Sequence, residues 1–133
     1  MNTIRLTRVY RLPALHSLGS PDLSEEENRT IFGSCSRLHG HDYRIEVTMA
    51  GVPDPRSGLA IHRDRLDEII QRELLEPLQG HNLNNFFQQT TGEALAVAFF
   101  DRLEPHLSQI GTLVRIRVRE TPKNLFEVVA GRE

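Results

Sequence analysis

One cysteine and two histidines stand close together in the stretch FGSCSRLHGHDY, residues 32–43. Cys35 is the only cysteine of the chain, and His39 and His41 flank a glycine. From His41 to Met49 the residues alternate between apolar and polar, which is the period of a half-buried strand. Histidines two positions apart on a strand project to the same side, roughly 6.6 Å apart, so both imidazoles can bind one cation. Because such a pair also occurs without a metal, a third ligand is needed.

The N-terminal segment offers that third ligand. Inward-facing residues alternate from Ile4 to Ala14, with Arg8 as the one interruption, and this pattern predicts a strand whose apolar face ends at His16. A histidine in this place can also be a core residue bonded to a carbonyl. The presence of His39 and His41 on the inward face of the next predicted strand favours the metal ligand.

Three neutral imidazoles with an open fourth position are the donor set of a catalytic zinc site. Zinc held in this way polarises a hydroxyl or carbonyl group and lowers the pKa of what it binds. Cys35, close in sequence to two of the histidines, is then a candidate base or nucleophile, since a thiolate near a dication has a lowered pKa. The alternative is a structural site that Cys35 closes as the fourth ligand.

A carboxylate at the end of a third predicted strand is another candidate. The stretch TLVRIRVRE, residues 112–120, alternates strictly and predicts Val114, Ile116 and Val118 on one face and arginines on the other. Glu120 falls on the apolar side, where a carboxylate is costly to bury unless something hydrogen-bonds it. It is either a ligand-binding residue or the first exposed residue past the core.

Two helices are predicted between these strands. Apolar residues at helical spacing from Arg63 to Glu76 indicate an amphipathic helix that ends at Pro77. Thr90 followed three residues later by Glu93 predicts a capping box that opens a second helix, roughly residues 91–103.

The remaining segments complete the predicted fold. Residues 19–30 are polar and acidic, which predicts a solvated loop with at most one helical turn. Residues 126–130 supply a last strand. The order strand, strand, helix, helix, strand, strand indicates an α+β domain in which helices pack on one face of an antiparallel sheet.

Composition limits the class of protein. The 133 residues predict a single domain over residues 1–133, and the hydrophobic fraction of 38% suggests that neighbouring subunits complete part of the core. A net charge of -2 with both signs spread along the chain points away from nucleic acid and anionic membranes. The absence of a signal-peptide pattern, of an apolar run of about 18 residues and of a second cysteine predicts a soluble, cytoplasmic protein.

Taken in order, these residues resemble the family of 6-pyruvoyltetrahydropterin and 6-carboxytetrahydropterin synthases. The resemblance spans nearly the whole chain and implies the tunnelling fold (T-fold), a four-stranded antiparallel sheet with two helices on one face. It also implies an oligomeric barrel of trimers, usually paired into hexamers, with active sites between subunits. The shared motifs are His16, Cys35-x3-His39-Gly40-His41-Asp42-Tyr43, Gly58-Leu59, Asn82-Leu83-Asn84, Thr91-Gly92-Glu93 and Glu120-Thr121.

The resemblance also implies a role for each matched residue. The three histidines, His16, His39 and His41, match the zinc ligands. Cys35 matches the general base, and Glu120 matches the carboxylate that anchors the pterin ring. The motif that contains Thr91 and Glu93 helps to hold that ring.

The substrate implied by the family is 7,8-dihydroneopterin triphosphate. One branch forms 6-pyruvoyltetrahydropterin, and the other forms 6-carboxytetrahydropterin and acetaldehyde on the route to deazaguanine nucleosides such as queuosine. The three-residue gap between Cys35 and His39 resembles the carboxy branch, whereas the acidic stretch of residues 22–28 resembles the pyruvoyl branch. We weight the spacing more, so the sequence favours 6-carboxytetrahydropterin, with the pyruvoyl product as the alternative.

One motif departs from the family. The family reads Leu-Asp-His-x-Asn-Leu-Asn, and its Asp-His pair completes a proton relay with the cysteine. In this chain Gln79 and Gly80 replace that pair, and His81 stands one position later. Glutamine cannot exchange protons, and the loss of one relay group lowers a rate by about 10²–10⁴-fold. Gly80 gives the backbone freedom to swing His81 into the vacated place, with His62 as the alternative proton donor.

Three hypotheses follow. The first is a zinc-dependent synthase in which His81 replaces the missing relay histidine. The second is a diverged enzyme that acts on a related pterin. The third is a non-catalytic paralogue that binds zinc and pterin, and the retained Cys35 argues against it because a pure binder needs no thiol there.

Overall fold

A computed structural model describes residues 2–131 of the chain. Its centre is a four-stranded antiparallel sheet with the strand order β1-β2-β3-β4, which confirms the sheet predicted from the sequence. The strands are β1 (Ile4–His16), β2 (His39–Gly51), β3 (Thr112–Thr121) and β4 (Asn124–Val129). The long strands β1 and β2 pair along their whole length, from Ile4 opposite Gly51 to His16 opposite His39.

The helices are α1 (Glu25–Phe32), α2 (Arg63–Ile70), α3 (Glu76–Leu78) and α4 (Gly92–Leu107), and a π-helical turn (Gln71–Leu75) joins α2 to α3. Helices α2, α3 and α4 pack on one face of the sheet. The inward face of β2 is fully buried from Tyr43 to Met49 and shares one hydrophobic core with α2 and α4. Within residues 2–131, no helix has the length and apolar character needed to cross a membrane.

The helix that carries Pro77 is longer than predicted. The sequence predicted an end at this proline, but helical structure continues to Leu78. Pro77 lies in α3, directly after the π-helical turn. The Glu73 carbonyl, four residues earlier, accepts a hydrogen bond from Arg102 Nε at 2.7 Å in place of the N–H that proline lacks.

The capping residue of α4 also differs from the prediction. Thr91 is the N-cap, and its hydroxyl accepts a hydrogen bond from the Ala94 N–H at 3.1 Å. The predicted cap, Thr90, instead donates its hydroxyl to the Ser17 carbonyl at 3.2 Å. The helix runs to Leu107, past the predicted end at residue 103.

Residues 25–32 form helix α1, where the sequence predicted a loop with at most one turn. A capping box explains its start: Glu27 N–H donates to the Ser24 hydroxyl at 3.1 Å, and Ser24 N–H donates to the Glu27 carboxylate at 3.0 Å. The helix buries none of its residues, so the expectation that this segment is solvated is confirmed.

An irregularity in β3 changes which residues face the core. Thr48 pairs with Arg115 and Met49 with Leu113, so Val114 is an extra residue in its strand, as in a β-bulge. Leu113 is buried in place of Val114, and the predicted inward position of Val114 is therefore wrong. Ile116 and Val118 are buried as predicted.

Candidate functional site

Three histidines meet at one end of the sheet. His16 ends β1 and pairs directly with His39, the first residue of β2, and His41 follows two positions later. One ligand atom from each lies within 4.8 Å of the others, and the ring centroids are 4.5 to 5.0 Å apart. The strand register therefore brings together the three residues that the sequence singled out.

Backbone carbonyls orient two of these rings. His16 Nδ1 lies 2.8 Å from the Thr90 carbonyl, and His39 Nδ1 lies 2.7 Å from the Arg37 carbonyl. A carbonyl only accepts hydrogen bonds, so each Nδ1 carries the proton and each Nε2 keeps a free lone pair. A metal-binding histidine is usually held in this way by a second partner.

The free nitrogens fit a metal ion. His16 Nε2 and His41 Nε2 are buried and have no hydrogen-bond partner within residues 2–131. Burial lowers the pKa of both His16 and His41, which keeps the rings neutral, as metal ligation requires. Three neutral imidazoles at this spacing match the donor set of zinc with an open fourth position.

Glu120 and Tyr43 lie beside the histidines. The pairing of β2 with β3 ends at Arg44 opposite Arg119, and Tyr43 and Glu120 adjoin this last pair. A Glu120 carboxylate oxygen lies 3.9 Å from His41 Nε2, and the side chain is only 15% exposed. The largely buried position of Glu120 and its closeness to His41 support a ligand-binding role.

Tyr43 is fully buried beneath the site. Its ring centroid lies 5.8 Å from that of His16 and 5.4 Å from that of His41, and its hydroxyl has no hydrogen-bond partner within the described residues. Burial, together with the charge of Glu120, raises the pKa of Tyr43 well above its usual range. The phenol is therefore a neutral donor at the base of the site. The strand pattern predicted Tyr43 on this face but indicated no role for it.

A cavity of about 400 Å³ opens where β2 and β3 separate. His41 and Glu120 line it together with Arg44 and Arg119. Asp42 also lines it, so the cavity offers two carboxylates and two guanidinium groups to a bound molecule.

Cys35 lies in a 3₁₀ turn (Gly33–Ser36) between α1 and β2. Its carbonyl accepts a hydrogen bond from the Leu18 N–H at 2.8 Å, which fixes the turn to the segment that follows His16. The side chain is exposed, and the group of donor atoms that lie within 4.8 Å of one another contains the three histidines without Cys35.

The loop with the altered motif runs along the outer edge of β1. Gly80 donates its N–H to the Pro13 carbonyl at 2.7 Å, and the His81 carbonyl accepts from the Leu15 N–H at 3.0 Å. Gly80 has a φ of 76°, the left-handed conformation that glycine adopts readily. It lines a second cavity, of about 370 Å³, beside His41. The exposed His81 ring lies 6.0 Å from the Phe86 ring, so within one chain it does not join the three histidines.

His62 lies at the other end of the molecule. Its Nδ1 accepts a hydrogen bond from the Arg65 N–H at 3.2 Å and caps α2. The preceding residue, Ile61, packs against Gly51 at the far end of β2. Ten strand residues separate His41 from Gly51, roughly 33 Å. Within one chain His62 therefore cannot replace a residue of the histidine site.

The segment before α4 supports the site through its backbone. The Thr91 hydroxyl caps the helix, and Glu93 is exposed in the first turn. Gly92 is buried against Phe126, where an added Cβ would overlap the ring. The Thr90 carbonyl, which orients His16, was not predictable from the sequence, because no sequence pattern indicates this contact between residues 74 positions apart.

Comparisons with known proteins agree with this geometry. The family model described as 6-pyruvoyl tetrahydropterin synthase matches residues 5–130. A 6-pyruvoyl tetrahydrobiopterin synthase from Drosophila melanogaster is 36% identical over 91% of this chain and 76% of its own length. A 6-carboxy-5,6,7,8-tetrahydropterin synthase from Bacillus subtilis is 29% identical over 71% of this chain and 69% of its own length. The solved structure of the Caenorhabditis elegans 6-pyruvoyl tetrahydropterin synthase superposes with a TM-score of 0.91 at 32% identity and covers 98% of both chains.

Proposed function

Since the chain belongs to the 6-pyruvoyl tetrahydropterin synthase family, we propose that it is a zinc-dependent lyase that acts on 7,8-dihydroneopterin triphosphate. One observation carries this proposal. The ligand atoms of His16, His39 and His41 lie within 4.8 Å of one another, and Glu120 lies 3.9 Å from His41 beside an open cavity. A candidate metal site thus lies next to a carboxylate that can bind a heterocyclic ring.

The three histidines would hold the zinc through their free nitrogens. Zinc, when bound, supplies a Lewis acid that acidifies the side chain of the substrate. The carbonyls of Thr90 and Arg37 keep His16 and His39 in the tautomer that ligation needs. The burial of His16 and His41 keeps them neutral near pH 7.

Glu120 would bind the pterin ring. A carboxylate accepts two hydrogen bonds side by side, which suits the adjacent ring N–H and amino groups of a pterin. Its largely buried position on the wall of the cavity favours this contact over solvation. We propose that Thr91 and Glu93, at the start of α4, contribute to the same ring-binding region.

Cys35 would act as the general base on the side chain of the substrate. Its turn is fixed beside the end of β1, but its thiol is exposed in the single chain. We therefore propose that the site is completed in an oligomer, a barrel of three chains or a pair of such barrels. In that assembly the exposed His81 of one chain would serve as the relay histidine at a neighbouring site.

Two products are compatible with the proposal. The Drosophila melanogaster relative, with the higher identity, is named as a 6-pyruvoyl enzyme and supports 6-pyruvoyltetrahydropterin. The three-residue gap between Cys35 and His39 favours 6-carboxytetrahydropterin. A relative named for that product supports it at lower identity.

The test is incubation of the zinc-loaded protein with 7,8-dihydroneopterin triphosphate, with products identified by mass spectrometry. We expect one of the two tetrahydropterins, and we expect its formation to be lost in Cys35→Ala and strongly reduced in His81→Ala. His106→Gln is the matched control, since His106 pairs with Glu73 on the helical layer.

Other outcomes would contradict parts of the proposal. Full activity in His81→Ala would remove His81 from the relay. Tight pterin binding that depends on Glu120 without any turnover would favour the non-catalytic paralogue. Turnover of a different pterin alone would favour the diverged enzyme.

A further inference from the structure

The face of the sheet away from the helices carries charged side chains in rows that cross the strands. In one row Arg117 lies opposite Glu46 on β2 and Glu127 on β4. Arg117 contacts each of these carboxylates at 3.4 Å. Opposite charges that face each other across strands stabilise a sheet, and this row follows that rule.

The neighbouring row breaks the rule. Arg11 on β1 lies directly opposite Arg44 on β2, and Arg44 lies directly opposite Arg119 on β3. We call these three residues the arginine row. Like charges directly opposite each other destabilise a sheet. The arrangement is therefore unfavourable unless an anion lies against it.

The carboxylates near the arginine row do not balance it. Asp42 is shared, since it lies 3.1 Å from Arg11 and 3.2 Å from Arg44. The closest carboxylate to Arg119 in an ion pair is Glu46, at 3.9 Å, and Glu46 already contacts Arg117. Arg44 Nη1 is buried and has no partner with hydrogen-bond geometry within residues 2–131, and the same holds for Nε of Arg115 and Arg117 on this face.

The position of the row connects it to the candidate site. Arg44 and Arg119 form the last pair between β2 and β3, and both line the cavity that His41 and Glu120 also line. Because Glu120, Asp42 and both arginines line one cavity, a molecule bound there can contact Glu120 and the two guanidinium groups together. The guanidinium side chains are 39% and 40% exposed, so they are accessible from solvent.

We infer that the arginine row binds the phosphate chain of the substrate. This inference rests on the proposed function, in which the ligand is a pterin that carries a triphosphate. Guanidinium groups bind phosphate oxygens through paired, charge-assisted hydrogen bonds. A phosphate chain across the row also removes the repulsion between its members.

The test uses inorganic tripolyphosphate as the probe, with affinity measured by isothermal titration calorimetry at fixed ionic strength. We expect Arg119→Gln and Arg44→Gln each to weaken binding by about tenfold or more, the change that about 1.4 kcal/mol of binding free energy produces. Arg115→Gln is the matched control, since it lies on the same strand and face but outside the cavity lining. An equal loss in Arg115→Gln would overturn the inference.

A second measurement separates binding from structural roles. Removing one charge from a repelling row leaves the unliganded protein at least as stable, so the thermal midpoint of Arg119→Gln should not fall. A clear fall without a change in tripolyphosphate affinity would assign the row a structural role. A shift of oligomeric state on gel filtration, again with unchanged affinity, would assign the row to a contact between subunits.

A comparison of two pterins distinguishes failure of this inference from failure of the proposed function. We expect Arg119→Gln to weaken binding of 7,8-dihydroneopterin triphosphate and to leave binding of unphosphorylated 7,8-dihydroneopterin unchanged. Equal losses for both pterins, or no loss for either, would overturn the inference while the proposed function stands. If the wild type binds neither pterin but still binds tripolyphosphate through the row, the proposed function fails and the anion site remains.

Discussion

The two tyrosines of this chain lie on the same face of the sheet in opposite surroundings. The Tyr10 hydroxyl donates to Asp67 at 2.6 Å, and Arg8 binds the same carboxylate through two nitrogens at 2.8 and 2.9 Å. Tyr43, on the neighbouring strand, has a buried hydroxyl without a partner inside residues 2–131. The polar groups are thus hydrogen-bonded where the sheet meets α2, whereas several buried polar atoms around the histidines have no hydrogen-bond partner within residues 2–131.

This difference is informative because buried polar groups are normally hydrogen-bonded. Within residues 2–131, buried side-chain atoms without a partner belong to six residues. Four of them, His16, His41, Tyr43 and Arg44, adjoin the histidine site, and the other two, Arg115 and Arg117, lie further along β3. Around Asp67 the same kinds of groups connect β1 to α2 and stabilise the fold. We therefore interpret the first region as built for a ligand and the second as built for stability.

The largest expected effect is a loss of catalytic activity when a residue of the histidine region is changed. His41→Ala removes one of the three proposed zinc ligands. Because a bound metal contributes several kcal/mol to catalysis, we expect kcat/KM to fall by about 10³-fold. Zinc content, measured by atomic emission, should fall with it. Because His41 Nε2 is unsatisfied in the metal-free protein, the stability of the metal-free variant should change little. Retention of both zinc and activity would show that the histidines do not form the site.

The next prediction compares the tyrosines directly. Tyr10→Phe leaves Asp67 without one donor and should lower the free energy of unfolding by about 1–2 kcal/mol. Tyr43→Phe removes a buried hydroxyl that has no partner, so stability should be unchanged or higher by about 1 kcal/mol. Urea denaturation of the two metal-free variants measures both values. Equal destabilisation would show that Tyr43 has a partner in solution.

The pH dependence of stability should also differ between the regions. Burial lowers the pKa of His16 and His41 in the folded chain below the ordinary value of 6.5. The unfolded chain then binds more protons below pH 6.5, so the metal-free protein should lose stability as the pH falls from there through the folded pKa values. A His16→Gln/His41→Gln variant should show a shallower loss between pH 7 and pH 5. An unchanged slope would mean that these rings are not desolvated.

The sequence predicted the sheet and the histidine site well because both depend on strand periodicity. Alternation along β1 and β2 places His16, His39 and His41 on one face, and antiparallel pairing then brings them together. The same rule was wrong for Val114, because a β-bulge changes the parity of a strand without a local sequence signal. The π-helical turn before Pro77 was missed for a similar reason.

Contacts between distant segments were less predictable. The Thr90 carbonyl that orients His16 and the network of Arg8, Tyr10 and Asp67 join residues far apart in sequence. Of the arginine row, the alternating pattern of β3 predicted only the outward position of Arg119. The like-charge pairing of the row depends on the register of three strands. Register is a property of the folded sheet, and single-strand patterns do not specify it.

The smallest expected effect concerns His62, which lies far from the histidine end, at the start of the helix α2 that also carries Asp67. Its imidazole already caps α2, with Nδ1 at 3.2 Å from the Arg65 N–H. Asparagine is among the preferred N-cap residues, so His62→Asn should raise the free energy of unfolding by about 0.5 kcal/mol. Thermal denaturation measures the stability, and a kinetic assay should show an unchanged kcat. A large fall in kcat with normal stability would instead place His62 at a site formed with a neighbouring subunit, since roughly 33 Å of strand separates the far end of β2 from His41 within one chain.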